Sequence, residues 1–306
     1  MTDLRVELAG LTLRNPVILA SGTVGYGAEY RELVEFETVG AFVTKTITLE
    51  PRSGNAPPRL VEAGGGLLNA IGLENVGLER FLDEKLPESA ELPAPLIASI
   101  AGTSAEEVAT LAEAVGARTE VDALEINISC PNVERAACPL WDDPESTALF
   151  VARARASTTK PLFLKLSPQT ANATVVARSA ADAGTDALIV ANTMTGMRID
   201  LDARRPVLGN VTGGLSGPPL KPVNLALVWR IAGSVDIPVV GSGGAGCAGD
   251  VLEYMMAGAT AVEMGTALYG DPGSATEIVG GLVEFMERNG VERIDTYIGA
   301  ARGEAA

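Results

Sequence analysis

Short runs of β-branched and aliphatic residues alternate along this chain with segments of helical periodicity, and that alternation constrains the fold more than any other feature. The runs are PVILASG from Pro16, AFVTKTIT from Ala41, PLIASIAG from Pro95, ALEINIS from Ala123, PLFLKLSP from Pro161, ALIVANT from Ala187, PVVGSGG from Pro238 and AVEMGTAL from Ala261. Between them lie helix signals. Ser104 and Glu107 read as a capping box ahead of a stripe of Val108, Leu111, Ala112 and Val115. Asp143 followed by Pro144 reads as N-cap and first helical residue. Ser274 and Glu277 repeat the capping box, with Ile278, Gly281, Leu282 and Phe285 on one stripe and Asn289-Gly290 as the stop.

Strands alternating with helices give βαβ units and a parallel sheet, and eight such units predict a closed (β/α)8 TIM barrel, an α/β fold. An open doubly wound sheet is the rival, but the first βα turn lacks GxGxxG. The opening RVELAGLTLRNP predicts a hairpin closing the bottom of the barrel. Two connections, Leu49 to Gly77 and Met194 to Pro222, are too long for simple turns and read as insertions after strands 2 and 6. Long loops of this kind are usually functional, and in a barrel they rise from the C-terminal face, where active sites form. With no linker or low-complexity segment, residues 1–306 read as one domain.

Composition narrows the function. The formal net charge of −16 argues against a nucleic-acid surface, where phosphates reward a basic face. No stretch approaches the roughly 20 apolar residues that cross a bilayer. MTDLRVELAG lacks the order of a signal peptide, so the expected location is cytoplasmic. Cys130, Cys138 and Cys247 have no CxxC spacing and make neither a disulfide framework nor a metal or cluster site, so no metal is expected. There is no histidine at all, which removes the commonest general base and metal ligand. Proton chemistry falls to Cys, Lys, Asp, Glu or Tyr.

Polar residues stand where a purely structural barrel would have Val or Ile. Lys45 interrupts the second strand and Lys165 the fifth; Asn127 and Ser129 end the fourth, with Cys130 next; Asn192 and Thr193 end the sixth. All should converge on one mouth of the barrel. A lysine on a barrel strand must shift its pKa or find an anion, and an interior carboxylate such as Glu125 would supply one. The glycine turns GSGGAG and MGTAL end the last two strands, and Gly243, Gly244, Gly265 and Thr266 could offer backbone N–H groups to a phosphate, or merely allow tight turns. The residues alone thus give a barrel holding a phosphorylated ligand beneath lysines, amides and a thiol, with its chemistry open.

The segments NAIGLEN, EINISCPN, ANTMTGMRIDL and TGGLSGPPLKP, with the two glycine turns, resemble the dihydroorotate dehydrogenase family, most nearly the catalytic subunit of its NAD-dependent class 1B form. The likeness runs in order from about Leu11 to Tyr269. It implies a barrel that binds FMN and oxidises dihydroorotate to orotate in pyrimidine biosynthesis. By this resemblance Gly243, Gly244, Gly265 and Thr266 would hold the FMN phosphate, and Ser21, Lys45, Thr46, Ser99, Asn127, Lys165, Ala191 and Gly217 would contact the cofactor. Substrate would meet Lys45, the backbone of Asn69, Ala70, Ile71, Gly72 and Leu73, and the side chains of Asn69, Asn127, Asn132, Asn192 and Thr193. Asparagine offers both donors and acceptors, matching the alternating N–H and C=O groups of a cyclic urea. The Cys130 thiolate would remove the proton from C5 while hydride passes from C6 to flavin N5.

Three positions depart from the family pattern. Ser99 replaces an asparagine, Ala191 a larger aliphatic residue, and VERAACPLWDDP, with Cys138 and Trp141, a glycine-rich loop over the substrate. The rival within oxidoreductases is a dihydropyrimidine dehydrogenase-like enzyme, which usually has histidine where Asn132 stands. A barrel lyase or isomerase using Lys45 or Lys165 as a Schiff-base amine, and a barrel kept only as an assembly subunit, are the alternatives of other classes. No fingerprint for NAD or FAD and no cysteine cluster is present for reoxidising FMN. The class 1B resemblance therefore implies an electron-transfer partner subunit carrying FAD and [2Fe-2S], around a homodimeric core of a heterotetramer; a fumarate-linked class 1A enzyme is the alternative.

Overall fold

The computed structural model describes residues 2–128 and 142–303. Eight parallel strands close into a barrel: β1 (Val17–Leu19), β2 (Ala41–Val43), β3 (Leu96–Ile100), β4 (Ala123–Asn127), β5 (Leu162–Lys165), β6 (Ala187–Val190), β7 (Val239–Ser242) and β8 (Ala261–Met264). They neighbour one another in chain order, and β8 pairs with β1 to complete the ring. This is the barrel that the alternation predicts. Almost every strand residue is buried, because the inner face fills the barrel and the outer face meets helices.

Helix Ala105–Gly116 shows how the flanking layer forms. Val108, Leu111, Ala112 and Val115 recur at helical spacing and are all buried, and Ser104 Oγ accepts the Glu107 N–H at 3.2 Å. The Glu107 carboxylate takes the Thr103 N–H at 2.6 Å rather than returning to Ser104, so only half of the expected capping box forms. Asp143 caps helix Pro144–Ser157 by accepting the Ser146 N–H at 3.2 Å. The second expected capping box does not form. Helix Ser274–Asn289 starts with Gly273 as N-cap, and Ser274 is already buried inside the first turn. Its stop is as expected, with Gly290 left-handed at φ 65°.

The N-terminal hairpin, Val6–Leu8 against Leu11–Leu13, sends Val6, Leu8 and Leu13 into the core just before β1 begins. The two long connections have secondary structure of their own. Leu60–Ala63 and Gly66–Asn69 form one hairpin after β2, while Met194–Gly196 and Gly213–Ser216 come from the connection after β6. Gly66–Asn69 pairs antiparallel with Gly213–Ser216, so both insertions merge into one four-stranded sheet with a small core of Leu68, Ala70 and Leu208.

Close backbone approach fixes this cap sheet. A Cβ on Gly66 would fall 2.1 Å from the Ser216 carbonyl oxygen, and one on Gly214 would fall 2.1 Å from Thr193 Oγ1. Gly66→Ala should therefore push two cap strands apart at a cost of about 1–3 kcal/mol. The expected outcome is a lower unfolding midpoint in calorimetry, with the far-ultraviolet circular dichroism of the barrel retained below it.

Candidate active site

The polar side chains on the C-terminal strand ends form a connected network. Ser21 Oγ donates to the Thr44 carbonyl at 2.8 Å and lies 3.3 Å from Thr46 Oγ1. Thr46 Oγ1 is 2.9 Å from Ser99 Oγ, which donates to Glu125 Oε1 at 3.2 Å. On the same hydroxyl, Asn127 Nδ2 approaches Thr46 Oγ1 at 3.5 Å, and Asn192 Nδ2 reaches Asn127 Oδ1 at 3.4 Å. Asn192 Oδ1 in turn accepts the Thr193 N–H at 2.7 Å. Residues from β3, β4 and the ends of β1, β2 and β6 thus meet at one mouth, as the sequence implies. Ser99 is fully buried, so its hydroxyl serves the mouth through Thr46.

Lys165 lies beneath this network, at the end of β5. Its Nζ is 2.5 Å from Glu263 Oε2 on β8 and 3.9 Å from Glu125 Oε2 on β4. Burial opposes the ammonium charge, but Glu125 and Glu263 outweigh it and hold the pKa above the ordinary lysine value. The bland reading of this lysine, a pairing with Glu125, is therefore half correct, since the nearer anion is Glu263. A charged residue inside the apolar run AVEM was the available signal for that partner.

Lys45 does not interrupt β2. It stands two residues beyond Val43, where the strand has ended, and its N–H donates to the Gly25 carbonyl at 2.7 Å. Its ammonium is 3.9 Å from Glu74 Oε2, which also accepts Arg59 Nη1 at 3.1 Å. Glu74 and Arg59 escaped the sequence reading because each lies far from Lys45 in the chain.

The segment 69–73 is held from both sides. Asn55 N–H and Nδ2 donate to the carbonyls of Ile71 and Ala70 at 3.0 Å each. Asn75, itself buried, donates from Nδ2 to the Leu73 carbonyl at 2.8 Å and to Thr48 Oγ1 at 2.9 Å. Gly72 and Leu73 both have positive φ, 78° and 53°, which turns this backbone back toward the cap sheet. Asn69 Nδ2 donates to the Gly214 carbonyl at 3.3 Å, and Gly214 packs directly on Thr193, so Asn69 and Thr193 flank the same point.

A cavity of about 800 Å³ runs between the cap sheet and the turns after β7 and β8. Gly217, Gly244 and Thr266 line it, with Gly64, Gly65 and Arg198 opposite. Gly243 and Gly265 are not on its wall; they flank it inside the turns, where Gly243 has φ 113° and Gly265 packs on Thr23. The wall is mostly backbone, which suits an anion bound by amide N–H groups. Asp250 fixes the first turn by accepting the N–H groups of Gly246 and Cys247 at 2.8 and 3.1 Å, and it pairs with Lys221 at 2.5 Å. Ala191 is buried at the end of β6, and its carbonyl accepts Asn224 Nδ2 at 3.3 Å. The size of the cavity and its glycine turns suit the phosphate end of a nucleotide-like ligand, and the polar network over the buried Lys165 ammonium, whose residues do not line that cavity, suits a planar ring such as that of FMN. Ser129, Cys130 and Asn132, and the departures at Cys138 and Trp141, lie outside the described residues.

Comparison with known proteins gives a consistent result. The family model for dihydroorotate dehydrogenase matches residues 3–286. The chain is 49% identical over 298 residues to the dihydroorotate dehydrogenase B (NAD(+)) catalytic subunit of Pelobacter propionicus, covering 97% of this chain and 98% of that protein. It is 50% identical to the protein of the same name from Trichlorobacter lovleyi, with the same coverage. A solved structure of DHODH from Eimeria tenella in complex with ferulenol superposes with TM-score 0.81 at 24% identity, covering 98% of this chain and 89% of that one, and shares the fold.

Removing one member of a buried ion pair costs about 3–5 kcal/mol, because the partner is left uncompensated. Lys165→Met is expected to lower the unfolding free energy by that amount in urea denaturation. A loss no greater than that of an exposed lysine would show that the pair does not hold the barrel centre.

Proposed function

The chain belongs to the dihydroorotate dehydrogenase family, and from that premise we propose that it is the NAD-linked, FMN-dependent enzyme that oxidises dihydroorotate to orotate in pyrimidine biosynthesis. The observation that carries this reading is the buried Lys165 ammonium beneath a mouth lined by Asn127, Asn192 and Thr193. Such a site offers a fixed positive charge below and both donors and acceptors for a small planar ring above. The same features give Lys165 no role as a Schiff-base amine, since it is held as the charged ammonium between two carboxyl groups and an amine nucleophile must be neutral.

FMN, when bound in this single domain of residues 1–306, supplies the acceptor for two electrons as hydride at N5. Gly243, Gly244, Gly265 and Thr266 would hold its phosphate; Ser21, Lys45, Thr46, Ser99, Asn127, Lys165, Ala191 and Gly217 would contact the rest. Lys165 favours negative charge that develops at the ring edge nearest it. Lys45 and the backbone of 69–73 would meet the substrate carboxylate. For this the Lys45 ammonium has to turn from Glu74, whose other partner, Arg59, keeps that carboxylate paired. Asn69, Asn127, Asn132, Asn192 and Thr193 would orient the ring.

The base is Cys130, three positions past Asn127 in a sequence with no histidine. An unperturbed thiol is only a few per cent thiolate at neutral pH, so a cationic neighbourhood raises the reactive fraction. A general base contributes about 10²–10⁴-fold, and Cys130→Ala should lower dihydroorotate oxidation by that order while the flavin stays bound. Near-normal turnover in this variant would contradict the assignment.

Among the described residues no helix is long and apolar enough to cross a membrane, and we place the enzyme in the cytoplasm. The relatives' name, catalytic subunit, supports a separate electron-transfer subunit; FAD and [2Fe-2S] are the carriers we expect on it, in a heterotetramer around a homodimer of this chain. The isolated chain should then reduce NAD poorly and gain that activity when the partner is added. Robust NAD reduction by the chain alone would falsify the two-subunit reading.

A further inference from the structure

The barrel interior below the mouth holds two carboxyl groups and a single ammonium group. Lys165, Glu125 and Glu263 are all sealed from solvent. Each carboxyl has one oxygen with a donor: Ser99 Oγ reaches Glu125 Oε1 at 3.2 Å, and Ser242 Oγ reaches Glu263 Oε2 at 3.0 Å, the oxygen that also meets Lys165. The other two oxygens, Glu125 Oε2 and Glu263 Oε1, are buried and have no donor among the described residues. Glu263 Oε2 and Glu125 Oε2 lie 2.5 and 3.9 Å from the same Lys165 Nζ, so the two carboxyls flank one ammonium.

Two ionised carboxylates here would leave a net charge of −1 beside Lys165 and two buried acceptors without a donor, an arrangement that is costly away from water. One proton removes both problems, since it cancels the surplus charge and turns one bare acceptor into a donor. We propose that Glu125 and Glu263 share a single proton, so that the triad with Lys165 carries no net charge, and that this pair is the positioning element for the Lys165 ammonium. Burial acts in the same direction, holding the Glu125 carboxyl well above the usual carboxylate range while Lys165 pulls it down and Glu263 pushes it up. Glu263 makes the closer contact with the ammonium, at 2.5 Å from Nζ, which leaves Glu125 as the carboxyl that holds the proton. Apart from these three, the hydrogen-bonding side chains that reach the two carboxyls among the described residues are Ser99 and Ser242. The shared proton does not depend on the flavin reading; its bearing on catalysis rests on Lys165 being a flavin contact.

Infrared spectroscopy of the purified protein tests this directly. At about pH 8, far above the ordinary carboxylate range, surface Asp and Glu residues are ionised and give no carboxylic acid band. The wild-type protein should nevertheless show a carbonyl stretch of a protonated carboxyl above the amide I band, shifted by ¹³C-glutamate labelling. Glu125→Gln removes the band, because the amide donates to Glu263 in place of the acid. Glu263→Gln removes it as well, because Glu125 must then ionise to balance Lys165. No band in the wild type overturns the proposal. So does a band that survives in Glu263→Gln, which would mean a proton held on Glu125 by burial alone. In the double variant the ammonium has no counter-charge, and the flavin midpoint potential should rise above that of either single variant; an unchanged potential would refute the positioning role. If the protein proved colourless, the flavin reading would fail while the infrared result still decided the shared proton.

Discussion

A lysine ammonium closed inside a barrel is the constraint on which the rest of this structure depends. Removing such a charge from water costs several kcal/mol, and the cost is met only if counter-charge and hydrogen bonds are already in place. Here the nearer carboxyl comes from β8, the further one from β4, and the ammonium from β5. Barrel closure is what brings β8 and β5 within reach, since they are not neighbours in the sheet. The ammonium therefore depends on the fold being complete, and it lies beneath the polar network at the barrel mouth. In a low-dielectric, pre-arranged setting a fixed charge contributes far more than it would in water.

Above that charge, the mouth is shaped by segments distant in sequence. The insertion after β2 and the insertion after β6 each contribute two strands to one sheet, which explains why neither behaves as a loose loop. Their junctions demand glycine: Gly66 passes against the Ser216 carbonyl, Gly214 against Thr193, and Gly217 against the backbone of Gly66 and Gly244. The same contacts tie the cap to the turns after β7 and β8, so the cavity wall and Asn69 belong to one connected arrangement. Asn55 and Asn75 add hydrogen bonds that hold 69–73 in place.

The barrel was legible in the sequence because its signal is local and repeated: strands of aliphatic residues end in polar ones, and helices present one apolar stripe. Asp143, Gly290 and half of the Ser104 cap were equally legible, since each acts within a few residues. Ser274 misled because a capping box was inferred from spacing alone, while the helix gains an earlier start at Gly273. Lys45 was read as a strand residue, although β2 stops at Val43 and leaves it free to reach Glu74. Glu263 and the cap sheet were not legible for a different reason. Both are defined by partners roughly a hundred residues or more away, and no periodicity records such a pairing. The mouth residues Asn127, Asn192 and Thr193 did converge as expected, because the end of a barrel strand is a position that a sequence states directly.

The central claim is that this mouth oxidises dihydroorotate rather than another reduced pyrimidine. An anaerobic titration of the flavin-loaded chain measures it most directly, by following the visible flavin band as each compound is added. The account predicts that dihydroorotate bleaches the band stoichiometrically and that dihydrouracil, which lacks the carboxylate for Lys45 and the 69–73 backbone, leaves it oxidised. Bleaching by dihydrouracil but not by dihydroorotate would contradict it.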